Sequence, residues 1–549
     1  MFVRKKHVKQ NGKTYEYLLL VETVREGRKV VQHTVCNLGR ADQLDGTRID
    51  AMVQALSGVA QSVLVLDPHE EEGGLRDVRR LGAVPIWRRL WRDLGLEAAL
   101  QHAAATTEMP LAEAAFALVA SRLMAPQSKR ATFQHWLGSV YAPELEGLSL
   151  HHLYLALDML QEHKTLLEKT LWNRTQELFA PKVDLVLMDT TNTYFHGKTR
   201  GTLPRYGKSK EKRYDRPLVS IGLLATRDGV PIGHEVFPGN THDAKAFTQM
   251  LRELKANFSI ERVVLCADRG MVSEEILADL RAEGLEYVVG ARMTRMAEEA
   301  ISYTGANWQD VEGLRIRLKP MGVDGETFIV CHNPEEEKHD RERRRELVTR
   351  LREQLKRNPS GSDLLRNSSF RGYLRVQGKA ITIDETKITS SERYDGKYVL
   401  RSNAELSHQE IVRAYRQLYQ VERAFRDLKG PLELRPIRHY VDRRIHGHVM
   451  VCFLAYAMEM ALRQALAGKK GAIIAEGDYH EIMRDLDRLA VGTLGAGERT
   501  YHIRTPIEGR AYEAFAAVGL RPPAKVLKGP DTDPKTRQQQ EDVVPRALF

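Results

Sequence analysis

Apolar and polar positions change period several times along this 549-residue chain, and each change marks a boundary between elements. Near the start, TYEYLLLVETV and KVVQHTV are β-rich runs separated by the turn-like REGR, which predicts an antiparallel hairpin. From about residue 75 to 180, segments such as PIWRRLWRDLGLEAAL and SLHHLYLALDMLQEHKTLLEKTLW repeat apolar residues every three or four positions and predict a helical module. Then the period shortens. VDLVLMD (183–189) is a continuous apolar run suited to a buried strand ending at Asp189, and LVSIGLLA and VPIGHEVF follow, joined at Asp228-Gly229. THDAKAFTQMLREL puts Ala244, Phe247, Leu251 and Leu254 on one helical face, and RVVLCAD ends another buried strand at Asp268. A further helix opens at Ser273 and stops at Gly284 before LEYVV. The order β-β-β-α-β-α-β predicts an α/β core.

Residues 294–400 break that order with β-like pieces and one charged helix, EEEKHDRERRRELVTRLREQLKR, whose composition suits a solvated face. The expected organisation is a basic β-rich N-terminal region (1–70), a helical module (71–180), an α/β core in two pieces (181–293 and 401–470), a β-rich insertion (294–400), a C-terminal helical region (471–520) and a disordered tail (521–549).

Charge sharpens this picture. Lys and Arg number 83 against 73 Asp and Glu, giving +10, and the first 40 residues alone hold nine Lys/Arg against three Glu. An excess of +6 there suits a polyanionic partner, with Arg4, Lys5 and Lys6 as candidate DNA contacts. The 42% hydrophobic content excludes a disordered or membrane class. The longest apolar stretch, Val449 to Met458, is too short to span a bilayer and runs into Glu459 and Arg463, so it reads as a buried helix. Four scattered cysteines without a CxxC pair fit a reducing cytoplasm, and no membrane partner is expected.

Candidate chemistry rests on three acids. Asp189 and Asp268 each close a strand of the α/β core, where ligands collect, although each also fits a simple turn or backbone-capping role. SHQEIVRAYRQLYQVERAFRDLKGP opens on a capping box, Ser407 and Glu410, and predicts one helix over about 408–429. Ile411, Tyr415, Leu418, Glu422, Phe425 and Lys429 recur there at spacings of three and four, which puts Glu422 on an inward, apolar face. A carboxylate so placed needs a salt bridge, a proton or a metal. Three such carboxylates match two-metal phosphoryl transfer, in which Mg²⁺ ions held by oxygen ligands clamp the attacking and leaving oxygens. The loop RYGKSKEKRYDR adds Arg205, Lys208, Lys210, Lys212, Arg213 and Arg216 near the Asp189 end, which suits a phosphate backbone or a solvated loop. Trp308 suits stacking on an extruded base, or a core position; His446 and His448 read as core or cap residues.

These motifs resemble those of the DDE transposases of bacterial insertion sequences, in the group with a β-rich insertion between the second Asp and the Glu. LMDTTNTYF carries Asp189, LCADRGMVS carries Asp268, and Tyr415-x2-Leu418-x3-Glu422-x6-Lys429 follows that family's Tyr-x2-Arg-x3-Glu-x6-Lys signature with Leu418 in place of Arg. The resemblance implies a ribonuclease H-like core with Asp189, Asp268 and Glu422 as catalytic and metal-binding residues for two Mg²⁺ ions, with Mn²⁺ as a substitute. It implies phosphate contacts from Tyr415 and Lys429, a basic DNA-binding leader, and a homodimer pairing two transposon-end inverted repeats for cut-and-paste transfer into target DNA near the nucleoid. A metal-dependent nuclease without strand transfer, and a DNA-binding regulator with a dead site, are the alternatives.

Overall fold

The computed structural model describes residues 2–10, 12–26, 29–57, 74–179, 185–197, 201–210, 213–258, 264–268, 271–291, 295–302, 308–311, 317–323, 325–357, 364–377, 380–468, 473–496 and 499–527. They divide into two compact units.

The smaller unit holds the described residues of 1–78, 491–505 and 524–527. Its N-terminal sheet has three antiparallel strands, because Phe2–Gln10 pairs with Lys13–Glu26, which pairs in turn with Lys29–Arg40. The sequence predicted only the last two. FVRKKHVKQ is too polar to read as a strand alone, and its place comes from a long partner that supplies the register. Among the described side chains of this sheet Val21 is the buried one, at 2% exposure, while the first strand is solvated along nearly its whole length. A helix, Gly46–Ser57, follows. A second sheet runs in the order Val526–Leu527, Arg499–Arg504, Ala490–Ala496, Gly74–Arg80. Two expectations are corrected there. The 471–520 region holds two strands as well as helices, and residues 521–527 of the expected tail carry a strand paired at His502↔Leu527 and Ile503↔Val526. Residues 528–549 lie outside the described residues.

In the larger unit, helices Val84–Asp93, Leu96–Ala103, Leu111–Met124, Leu150–Glu162 and Lys164–Phe179 form the helical module. Trp87 and Trp91, one turn apart, are fully buried in it. Helix Asp442–Ala467 runs against this module and is apolar and long enough to cross a membrane, but 94% of its most apolar window is buried inside the protein. Its buried charge pair is local: Arg463 donates from Nε (2.9 Å) and Nη2 (2.7 Å) to Glu459. His448 lies within this helix, buried between Lys129 Nζ (2.8 Å) and the Leu434 carbonyl (3.1 Å).

Among the described residues the central sheet has nine strands: β1 (Leu185–Tyr194), β2 (Leu218–Thr226), β3 (Pro231–Pro238), β4 (Val264–Ala267), β5 (Glu286–Gly290), β6 (Gln309–Asp310), β7 (Arg317–Val323), β8 (Glu326–His332) and β9 (Lys397–Ser402). Their spatial order is β6-β7-β8-β9-β5-β4-β1-β2-β3. The run β3-β2-β1-β4-β5 is a ribonuclease H-like core, with β1 to β3 an antiparallel meander and β4 and β5 added parallel to β1. Gly229 turns the β2–β3 hairpin with a φ of 81°, a left-handed conformation open to glycine. One face is filled by Phe247, Met250 and Leu254 of helix Asp243–Asn257 and by Ile276, Leu277 and Leu280 of helix Glu274–Ala282.

The insertion joins this sheet instead of standing apart from it. β9 pairs antiparallel with β5 (Leu400↔Gly290, Arg401↔Val289) and β8 pairs with β9, so the inserted strands continue the same layer. The charged helix Pro334–Arg357 bridges out of β8 and buries only Arg344, Val348 and Leu351 among its side chains. Arg344 is held by both oxygens of Asp395, which is itself buried.

Candidate active site

Two acids meet because of where one ladder stops. β1 and β4 pair in parallel from Leu185↔Val264 to Met188↔Ala267, so Asp189 and Asp268 are each the next residue beyond that ladder and stand side by side. Asp189 does not end its strand, as the sequence suggested; β1 runs on to Tyr194 against β2. The polar run Thr-Thr-Asn-Thr after Asp189 obscured that continuation.

The third acid comes from a helix that is kinked. His408–Arg416 and Tyr419–Lys429 are separate helices, joined by a tight turn in which Leu418 N bonds Tyr415 O (3.1 Å) and Gln420 N bonds Gln417 O (2.8 Å). The capping box at Ser407 and Glu410 is formed as predicted. Val421, Ala424, Phe425 and Leu428 make the buried side of the second helix, whereas Glu422 is exposed. Glu422 therefore faces an open cleft and not an apolar interior, and its carboxylate makes no hydrogen bond or ion pair with another described residue.

That cleft, of about 590 Å³, is lined by Asp189, Asp268 and Glu422 together, with Tyr415, Leu418, Phe425 and Lys429 of the same stripe. Among the described residues, four cations stand around the acids: Lys210, Arg416, Arg426 and Lys429. Tyr415 donates its hydroxyl to Asp268 Oδ1 at 3.0 Å, and burial together with Asp268 pushes its own pKa well up. Its ring stacks on Tyr398, contributed by β9, at 6.0 Å between centroids. Burial pushes the Asp189 carboxyl up to about 6; Lys210 and the Thr190 N–H oppose the rise, while Asp268 and Glu422 add to it. The folded protein thus holds this proton more tightly than the unfolded chain. Its contribution to stability is complete below the ordinary carboxylate value of 3.8 and is lost as the pH rises through about 6.

The predicted phosphate contacts are distributed unevenly. Lys210, Tyr415 and Lys429 line the cleft. Arg213 is tied to Asp215 through Nε (2.9 Å) and Nη2 (3.0 Å), and Arg205 donates from Nη1 to the carbonyls of Gly201 (3.1 Å) and Pro204 (2.9 Å). Lys208 gives its carbonyl to Asn192, and Lys212 lies outside the described residues. In the smaller unit, Lys5 is paired with Glu16 (2.8 Å) and Arg4 donates to Gln32 (3.1 Å), while Lys6 is exposed. Trp308 is not part of the cleft and lies against His332, at 5.6 Å between ring centroids.

Sequence reasoning missed Arg426, which stands one turn after Glu422 and was open to the same stripe counting. It also missed Tyr398, which only the pairing of β9 brings to the site. Arg423, on the same helix as Glu422, is 3.9 Å from Asp427 and 3.5 Å from Glu476 and does not line the cleft.

The acids offer oxygen donors alone, a set suited to hard divalent cations. Among the described residues no three His, Cys, Asp or Glu side chains stand close enough to hold one ion as they are arranged. Burial first, and after it the charges of Asp268 and Glu422, raise the Asp189 value, and a cation would relieve the repulsion among the three.

Residues 181–458 match the transposase DDE domain family, half of the chain. The chain is a DDE transposase. Residues 3–63 match the N-terminal domain of the IS1634 family of transposases, which makes it a transposase of the insertion-sequence kind. Among curated proteins no relative matches this transposase. Among solved structures it is similar to the piggyBac transposase synaptic complex with hairpin DNA, at 10% identity and a TM-score of 0.37 over 85% of this chain and 86% of that one. It is also similar to the Mos1 transposase paired-end complex with the left transposon end, at 14% identity and a TM-score of 0.15 over 45% and 68%. At those scores the fold assignment of the transposase rests on its own sheet order.

Proposed function

We propose that this transposase binds the inverted repeats at the ends of its own element, cuts the DNA there, and joins the freed 3′-hydroxyls to target DNA, with Asp189, Asp268 and Glu422 as the catalytic carboxylates. The observation that carries this reading is the meeting of those three acids with four cations in one cleft. Mg²⁺, or Mn²⁺ in its stead, is the proposed cofactor, held as two ions by the three carboxylates. Bound there, such ions lower the pKa of an attacking water or 3′-hydroxyl and neutralise charge on the departing oxygen.

The chain's own groups do the rest. Arg416, Arg426 and Lys429 anchor phosphates on either side of the scissile bond, and the two arginines supply the cationic phosphate anchor that the apolar Leu418 side chain does not offer. Tyr415 orients Asp268 through its hydroxyl. Arg4 and Lys6 of the N-terminal sheet hold the element ends by phosphate contact; replacing both with Ala is expected to lower the slope of log affinity against log salt by about two. The working form is a homodimer that pairs two ends in the cytoplasm at the nucleoid.

The test is purified protein with Mg²⁺, pre-cleaved element ends and a supercoiled plasmid. Ends covalently joined to plasmid are expected; nicking without joined products would leave a nuclease and overturn strand transfer. Acid sensitivity gives a second check. Metal must displace a proton from Asp189 below about pH 6, so Mn²⁺ affinity is expected to be flat above that value and to fall about tenfold per pH unit below it. Calorimetric titrations between pH 5 and 8 read this directly, and a flat profile throughout contradicts it.

A further inference from the structure

We propose that Lys210 is a resident counter-ion of the carboxylate centre: an internal cation that neutralises Asp189 until metal ions take its place, and that then turns to a DNA phosphate. The inference rests on the reading of the three acids as a metal centre. Lys210 Nζ lies 4.0 Å from Asp189 Oδ1 and 4.0 Å from Asp243 Oδ1, midway between two acids. It donates to the carbonyl of Thr190 at 2.5 Å and to the Thr190 hydroxyl at 3.2 Å, and that hydroxyl donates onward to Asp243 at 2.7 Å. The ammonium is thus bonded to the residue that follows Asp189 in the chain.

The loop that delivers it is built for that purpose. Asn192, buried on β1, donates from Nδ2 to the Lys208 carbonyl at 2.9 Å and accepts the Lys210 backbone N–H at Oδ1 at 3.0 Å. Ser209, also buried, accepts the Arg213 N–H at 2.9 Å. A cation-rich loop that merely attracted DNA would need no such clamp. Its other cations behave differently, since Arg213 is spent on Asp215 and Arg205 on backbone carbonyls. Among the described cations of the loop, Lys210 is the one that lines the cleft.

Two cations cannot share the Asp189 carboxylate at these distances without strong repulsion, so arrival of a divalent ion expels the ammonium toward the solvent side of the cleft. Lys210 is about two-fifths exposed, which leaves that path open. There it meets the phosphate backbone. Metal loading and DNA affinity are thereby coupled through one side chain, and by linkage each strengthens the other.

The experiment uses the full-length protein, with Mn²⁺ as the probe, titrated by calorimetry in the absence of DNA at a fixed pH above 7. Lys210→Met keeps the aliphatic stem and removes the charge; it is expected to bind Mn²⁺ on the order of tenfold more tightly. Asn192→Ala, which frees the loop without removing the cation, is expected to give a smaller gain of the same sign. End-DNA affinity of the parent is expected to rise on adding Mn²⁺, and that rise to shrink in Lys210→Met. Unchanged or weaker Mn²⁺ binding in Lys210→Met overturns the proposal. Asp189→Asn separates the two levels: if it abolishes Mn²⁺ binding while Lys210→Met changes nothing, the counter-ion role alone fails. If Asp189→Asn also leaves Mn²⁺ binding unchanged, the metal-centre reading fails with it.

Discussion

Asp189→Asn is expected to reduce DNA cleavage by at least about a thousandfold, equivalent to about 4 kcal/mol of transition-state stabilisation, while binding of element ends stays within a few-fold of the parent. Asn keeps the shape and one oxygen of the side chain and removes the charge that a divalent ion requires. The Thr190 N–H that donates to Asp189 Oδ1 at 2.7 Å keeps an acceptor in the amide oxygen, so the local backbone stays in place. Removing a negative charge from a cleft proposed to receive phosphates is not expected to weaken binding. Glu422→Gln is expected to behave the same way, and more cleanly, because Glu422 is exposed and its carboxylate makes no polar contact with other described residues that folding would miss. Gel-shift and cleavage assays on the same preparations separate the outcomes. Loss of binding together with cleavage would point to a structural role for Asp189, and full cleavage by the Glu422 variant would show that the acid trio is misassigned.

How much of this centre was legible in the sequence differs from residue to residue. Apolar runs marked β1 and β4 because both are buried on two faces, and a strand of that kind carries its signal in its own composition. Glu422 was found by counting along a helix, a local operation. Three things were not legible because they depend on pairing between distant segments or on packing. The insertion's strands joined the central sheet through Leu400↔Gly290 and its neighbours, a contact set by residues about 110 positions apart. Tyr398 entered the cleft by the same route. The kink at Gln417 and Leu418 has neither Gly nor Pro to announce it, and Glu422 stands exposed in the cleft, not in the apolar interior that stripe counting predicts.

The counter-ion loop illustrates the same division. Its cations were visible as a cluster in RYGKSKEKRYDR, and a cluster suits phosphate binding whichever of its members does the work. Asn192 decides which one does. Its side chain bonds to Lys208 and Lys210 across 16 and 18 residues, and that choice of partner is tertiary.

The second large effect concerns the frame behind the site. Gly447→Ala is expected to destabilise the protein by about 2 to 3 kcal/mol, the range of an overpacked helix contact. A Cβ on Gly447 would lie 2.1 Å from the Leu157 carbonyl oxygen and 2.7 Å from its carbon, both backbone atoms that no rotamer change can move. Helix Asp442–Ala467 would have to separate from helix Leu150–Glu162, opening the pair that Arg444 and Arg443 fasten to buried Asp158, each at 3.2 Å. The helix carrying Glu422 leads through Leu432 and Leu434, both buried, into this same helix, so the shift reaches the cleft. Gly477→Ala is the matched control. It stands in the first turn of helix Glu476–Asp487 with nothing within 4 Å of the added carbon, and Ala's higher helix propensity predicts a small stabilisation of up to about 1 kcal/mol. Thermal or urea unfolding of the pair reads the difference. A Gly447→Ala protein as stable as its parent would mean that the two helices do not pack backbone to backbone at this crossing.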